Sequence, residues 1–232
     1  MTDRPAHEPA PAQDFDSFFA RTLPRLLATA RMACRDWHDA EDLAQDAYLT
    51  AFRSWGRVRE YANPEAWLHT VLRHLIWARS RKQAREQELR AALPVPRDPT
   101  PEETALASAV LEALDELPPR QRAAIVLQCR YGMRQEEIAV ELGVRRSTVA
   151  VSVRNGRHSL ERLLDLTPGR AVRPEDALVS SCPWARPRVA DPLSAALLAA
   201  GRWLSDAVSD SPGAAQRVRA AVASAAGRAA AR

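Results

Sequence analysis

Arginines and hydroxyl residues crowd one short stretch of this chain. Arg145, Arg146, Ser147 and Thr148 are followed by Arg154, Arg157 and His158. Guanidinium and hydroxyl groups at a helix N-terminus, where free amides and the helix dipole favour negative charge, are suited to phosphate. Small or polar side chains further along the same helix, here Ala150 and Ser152, can meet a thymine methyl or a base edge. The pattern points to duplex DNA. The elements that must present it are also legible. Ile138, Ala139 and Leu142 share one side of a first helix, Gly143 supplies the positive φ that ends it, and Val149, Val153 and Leu160 repeat along a second. Two short helices crossing at a sharp angle bury little core alone, and their common use is to present the second to a major groove.

A second constellation lies upstream. Asn63 as N-cap and Pro64 at the first helical position start a helix that runs to about Lys82. Trp67, Leu68, Val71, Leu72, Leu75 and Ile76 form its apolar side, and His69, Arg73, Trp77, Ser80 and Arg81 fall opposite. An aromatic among arginines suits unstacked bases, which pile on the ring while guanidiniums hold phosphates. Trp77 could equally close a core edge. A third constellation is acidic: the helix from about Asp39 to Trp55 carries Glu41, Asp42, Gln45 and Asp46 beside a face of Ala40, Leu43, Ala47 and Ala51. That edge is either solvated or complementary to a cationic partner.

Composition narrows the classes. The 232 residues carry a net charge of +4, with a single lysine, Lys82. Basic residues dominate His69–Arg90, whereas Asp98–Glu116 holds six acids and no base. Cys34, Cys129 and Cys182 are too few and too scattered for a disulfide framework or a zinc site. His38, His69, His74 and His158 lack a metal-spaced partner, and no glycine-rich phosphate loop is present. The expectation is therefore no catalytic residue, no metal, no cofactor and no enzyme activity. The N-terminus lacks the apolar segment of a signal peptide and no stretch is long enough to span a bilayer, so a cytoplasmic protein without a membrane role is expected.

Helical periodicity without alternating strands predicts an all-α fold. Residues 1–13 read as a disordered start, 14–91 as one helical domain, 92–103 as a flexible acidic linker and 104–166 as a second domain ending in the helix–turn–helix. An Ala/Pro-rich extension, 167–232, contains two helical pieces. Pro24 should kink or split the first helix, and Gly156 should fray the last helix of the second domain.

The ordered set DAEDLAQDAYLTAFRSW (39–55), NPEAWLHTVLRHLIWARSR (63–81), LPPRQRAAIVL (117–127) and EEIAVELGVRRSTVAVSVRNGRHSL (136–160) resembles group IV, or extracytoplasmic-function, sigma factors. REYANPEAW looks most like the actinobacterial SigE-type branch. The resemblance implies docking on core RNA polymerase (largest-subunit clamp and flap) through Asp42, Gln45 and Asp46. It implies −10 recognition by Asn63, His69, Arg73, His74, Trp77 and Arg81. It implies −35 recognition by Arg145, Arg146, Ser147, Thr148, Ala150, Ser152, Arg154, Arg157 and His158. It further implies promoter DNA as ligand, an anti-sigma factor as a further partner, and free domains that pack together and mask their DNA surfaces. His74 and Ala78 depart from the family's usual Asn and Asp. A stand-alone helix–turn–helix regulator is the alternative, and the extension is not covered by the resemblance.

Overall fold

The computed structural model describes residues 14–89, 105–165, 192–210 and 212–230. The start at 1–13, the linker at 92–103 and the loop-like part of the extension at 167–190 lie outside them. Among the described residues there are ten helices and no strand: α1 Phe15–Ala33, α2 Trp37–Arg53, α3 Trp55–Val58, α4 Pro64–Leu89, α5 Ala105–Asp115, α6 Pro119–Tyr131, α7 Gln135–Leu142, α8 Arg146–Leu163, α9 Pro192–Asp210 and α10 Pro212–Ala230.

Local signals explain most ends. Asn63 Oδ1 accepts from the Ala66 amide at 2.9 Å and caps α4. Gly132 and Gly143 close α6 and α7 in the left-handed region, with φ of 64° and 62°. Four boundaries differ from the sequence reading, the first being the end of α4, which runs to Leu89 rather than about Lys82. Helix α1 is not split at Pro24, because Phe18, Leu23, Leu26 and Leu27 bury on both sides of the proline and hold the chain helical through it. Helix α2 starts earlier, since Asp36 rather than Asp39 caps it, accepting from the Asp39 amide at 2.7 Å. The Asp39 carboxylate is thereby left to pair with Arg79 and to accept from Gln83. Helix α2 stops at Arg53 rather than Trp55, and Trp55–Val58 form the single turn α3.

The two sets of helices, α1–α4 and α5–α8, share their cores. One apolar cluster joins Phe18, Tyr48, Leu72 and Trp77 to Leu127, Tyr131, Ile138 and Val153. A second gathers Ala28 and Met32 of α1 with Val110, Leu114, Ile125 and Leu160 around α9, through Leu193, Leu197 and Leu204. Each of these leucines contributes about 1.5–3 kcal/mol on burial, so α9 is firmly seated between the two sets. Polar groups tie the same seam. Arg31 reaches Asp115 at 3.3 Å, Arg35 donates twice to the Asp115 carbonyl, and the buried Arg122 donates to the carbonyls of Leu114, Asp115 and Leu117. Burial, partly offset by Asp115, brings the Arg122 guanidinium down to about 10.

Candidate nucleic-acid interface

Helix α8 owes its orientation to its buried side. Val149, Val153 and Leu160 are 0–2% exposed, and Ile138 and Ala139 of α7 pack with the first two. Two residues on from a buried position, about 200° around the helix, the chain faces water. The exposed face accordingly carries Ser147, Thr148, Val151, Arg154, Asn155 and His158, with Arg145 and Arg146 at its start. Arg146 pairs with Glu136 at 2.6 Å, and the half-buried Arg157 lies 3.7 Å from Glu161.

Ser152 is corrected by this register: it is buried, with its hydroxyl donating to the Thr148 carbonyl at 2.9 Å, whereas Ala150 is half-buried at the edge of the face. More exposed on the same face are Val151, at 48%, and Asn155. A valine can pack on a thymine methyl and an asparagine can bond bidentately to adenine. The signal that would have found them was already in the sequence: both follow the buried Val149 and Val153 by two. Gly156 is also corrected. The helix does not fray there but continues to Leu163. A Cβ on Gly156 would meet Ile125 Cγ1 at 2.8 Å, so the glycine permits close approach of α8 to α6.

The α4 face differs more from expectation. His69 and Ser80, expected outside, are 0% and 4% exposed, and Trp77, for which a core edge stood equally open, is 3% exposed. The reason is tertiary: α6 and α7 pack against that side of α4. His69 Nδ1 lies 2.8 Å from the Tyr131 hydroxyl. Arg73 binds Glu141 through Nε and Nη2 and stands over the Tyr131 ring at 5.0 Å. Burial first, then the charges of Arg130, Arg73 and Arg25, push the His69 imidazole down to about 3, so it is held neutral. The Trp77 indole N–H finds no acceptor among the described residues. Asn63, His74 and Arg81 do reach solvent, joined by Lys82 and Arg85. A shallow cleft between this end of α4 and the α8 face is lined by Ala84, Pro118, Arg120, Gln121, Val151 and Asn155.

On α2, Leu43 and Ala47 are buried while Asp46 is exposed and Asp42 and Gln45 are half-buried. Partial burial and then the neighbouring Asp42 raise the Asp46 carboxyl above its ordinary value. No group of three metal-ligating side chains occurs among the described residues. Burial pushes the Cys34 thiol up to about 12, which leaves it a poor nucleophile. No helix of the described residues is long and apolar enough to cross a membrane.

Comparison with known proteins places these surfaces in context. Residues 18–86 match the family Sigma-70 region 2, and residues 107–160 match Sigma-70, region 4. The ECF RNA polymerase sigma factor SigE of Mycolicibacterium smegmatis is 35% identical over 162 residues, covering 65% of this chain and 61% of that protein. The ECF RNA polymerase sigma factor SigM of Mycobacterium tuberculosis is 35% identical over 161 residues, covering 68% of this chain and 81% of that one. Among solved structures, the sigma factor RpoE in complex with the anti-sigma factor NepR from Bartonella quintana covers 66% of this chain and 98% of that chain, at 28% identity and a TM-score of 0.48.

Proposed function

The chain belongs to the extracytoplasmic-function sigma factors of the sigma-70 family, and from that premise we propose that it joins core RNA polymerase and directs it to promoters. Its work is binding rather than chemistry, carried out in the cytoplasm where the polymerase is. The observation that carries the reading is the outward face of α8, where Thr148, Val151, Arg154 and Asn155 share one side because their neighbours are buried. Arg145, Arg146, Ser147 and Thr148 take phosphates, Val151 and Asn155 read bases, and Arg154 and His158 extend the contact along a −35 duplex. Asp42, Gln45 and Asp46 dock the factor on a cationic surface of the clamp. Asn63, His74 and Arg81 contact the −10 region first, and His69, Arg73 and Trp77 become available only when α6 and α7 leave α4. An anti-sigma factor is a further partner that membership of the family makes available.

The test is run-off transcription with purified core polymerase on fragmented genomic DNA, with the 5′ ends sequenced. Defined starts sharing paired upstream elements are expected. Absence of core binding would instead favour a stand-alone helix–turn–helix regulator.

A further inference from the structure

Helices α9 and α10 are joined end to end but held very differently. Helix α9 is seated in the core: Leu193, Leu197, Leu198 and Leu204 are at most 1% exposed, and a Cβ on Gly201 would sit 3.2 Å from Met32 sulfur. Helix α10 lies along α2, and between Gly213 and Ala225 only Val218 and Val222 are buried. Ala214 and Ala215 pack partly against the same core, and ion pairs add to the hold. The Arg217 guanidinium grips Glu41 bidentately at 2.6–3.1 Å, and Arg219 meets Asp16 of α1 at 3.0 Å. The exposed Arg219–Asp16 pair contributes little, so α10 rests on its two valines and the Arg217–Glu41 pair, and it buries fewer apolar side chains than α9.

The charge pattern says what α10 imitates. Helix α10 contains Arg217, Arg219 and Arg228 and no acid, whereas α2 carries Asp39, Glu41, Asp42 and Asp46. Glu41 and Gln45 are one turn apart on the same stripe of α2. A helix resting on Glu41 is about 10 Å wide, so a protein surface approaching Gln45 and its neighbours meets α10 first. We propose that α10 is an internal stand-in for the cationic polymerase surface, occupying the acidic edge of α2 through Arg217, braced on α1 through Arg219, and giving way when the polymerase binds. This rests on the docking role of α2 proposed above. The factor so built is self-restrained: α9 stays as a structural staple between the two domains, and α10 is the displaceable cover.

The test keeps the chain at full length and leaves α2 untouched. Cysteines are introduced by Asp16→Cys and Arg219→Cys, with Cys182→Ser, and joined by a cleavable bis-maleimide; Cys34 and Cys129 are buried and do not compete. Binding of core polymerase is measured by fluorescence anisotropy before and after cleavage, with circular dichroism to verify the fold. The locked form is expected to bind at least about tenfold more weakly than the cleaved form. Arg217→Glu, which sets like charges against each other, should bind about fivefold more tightly than the unaltered chain. Equal affinity of the locked and cleaved forms, or an unchanged affinity for R217E, would overturn the competition while leaving docking through α2 intact. Binding by none of these forms, nor by the unaltered chain, would overturn the docking reading and the competition with it.

Discussion

Arg73 Nε of α4 lies 2.6 Å from Glu141 Oε1 of α7, with both side chains largely withdrawn from solvent. The arginine assigned to −10 phosphates is thus bonded to the first helix of the helix–turn–helix. Helix α4 and the helix–turn–helix hold each other through this pair, so the binding of a −10 strand proposed for Arg73 requires that it break. His69 and Tyr131 make a second tie across the same seam.

Glu141→Ala should therefore favour the open protein. Removing the carboxylate frees Arg73, which is left partly buried beside Tyr131 and better satisfied by water or phosphate. Affinity of the polymerase-free factor for a forked −10 probe, followed by anisotropy, is expected to rise several-fold. The cost in global stability should be about 1–2 kcal/mol, read from urea unfolding. Unchanged probe binding would show that the seam does not limit access.

Acid should loosen the same seam through His69. The unfolded chain protonates this residue below its ordinary value of 6.5, whereas the buried imidazole stays neutral down to about 3. The folded state thus binds fewer protons across that interval and loses stability as the pH falls. The loss approaches about 1.4 kcal/mol per pH unit well below the ordinary value, or about 2 kcal/mol by about pH 5. Unfolding of the unaltered chain and of His69→Gln at several pH values isolates the contribution. The difference between them should shift in favour of the glutamine variant as pH drops, and parallel curves would exclude it.

On α8, Asn155→Ala should cost about 1–3 kcal/mol of promoter affinity in the holoenzyme and relax preference at one −35 position. Val151→Ala should weaken discrimination of a thymine by a smaller amount. Ser152→Ala, at a buried site facing its own helix, should leave sequence preference as it was. Competition binding against a set of single-base −35 variants separates the three.

Gly156→Ala tests packing against propensity. Alanine is worth about 1 kcal/mol over glycine inside a helix, but here its methyl would sit 2.8 Å from Ile125 Cγ1. Overpacking typically costs about 1–3 kcal/mol, so a net fall in Tm is expected. A rise would mean that α6 yields easily and that the glycine is not needed for the approach.

Much of this protein is determined by local rules that a sequence carries openly. The 3.6-residue apolar repeats, Asn63 capping α4, and Gly132 and Gly143 ending α6 and α7 depend on neighbours within a turn or two, so the helices could be read directly. The outward side of α8 was encoded as well, because burying Val149 and Val153 forces Val151 and Asn155 outward. The side of α4 was different. His69, Arg73 and Trp77 look like a wet polar stripe in one dimension, and only the arrival of Tyr131 and Glu141 from residues more than sixty positions away makes it an interior. The same holds for the C-terminal pair, whose helices were legible in sequence but whose packing surfaces were not. Contacts such as Gly201 on Met32 and Arg217 on Glu41 were decided by tertiary packing, because burial of a surface depends on which distant surface fits it.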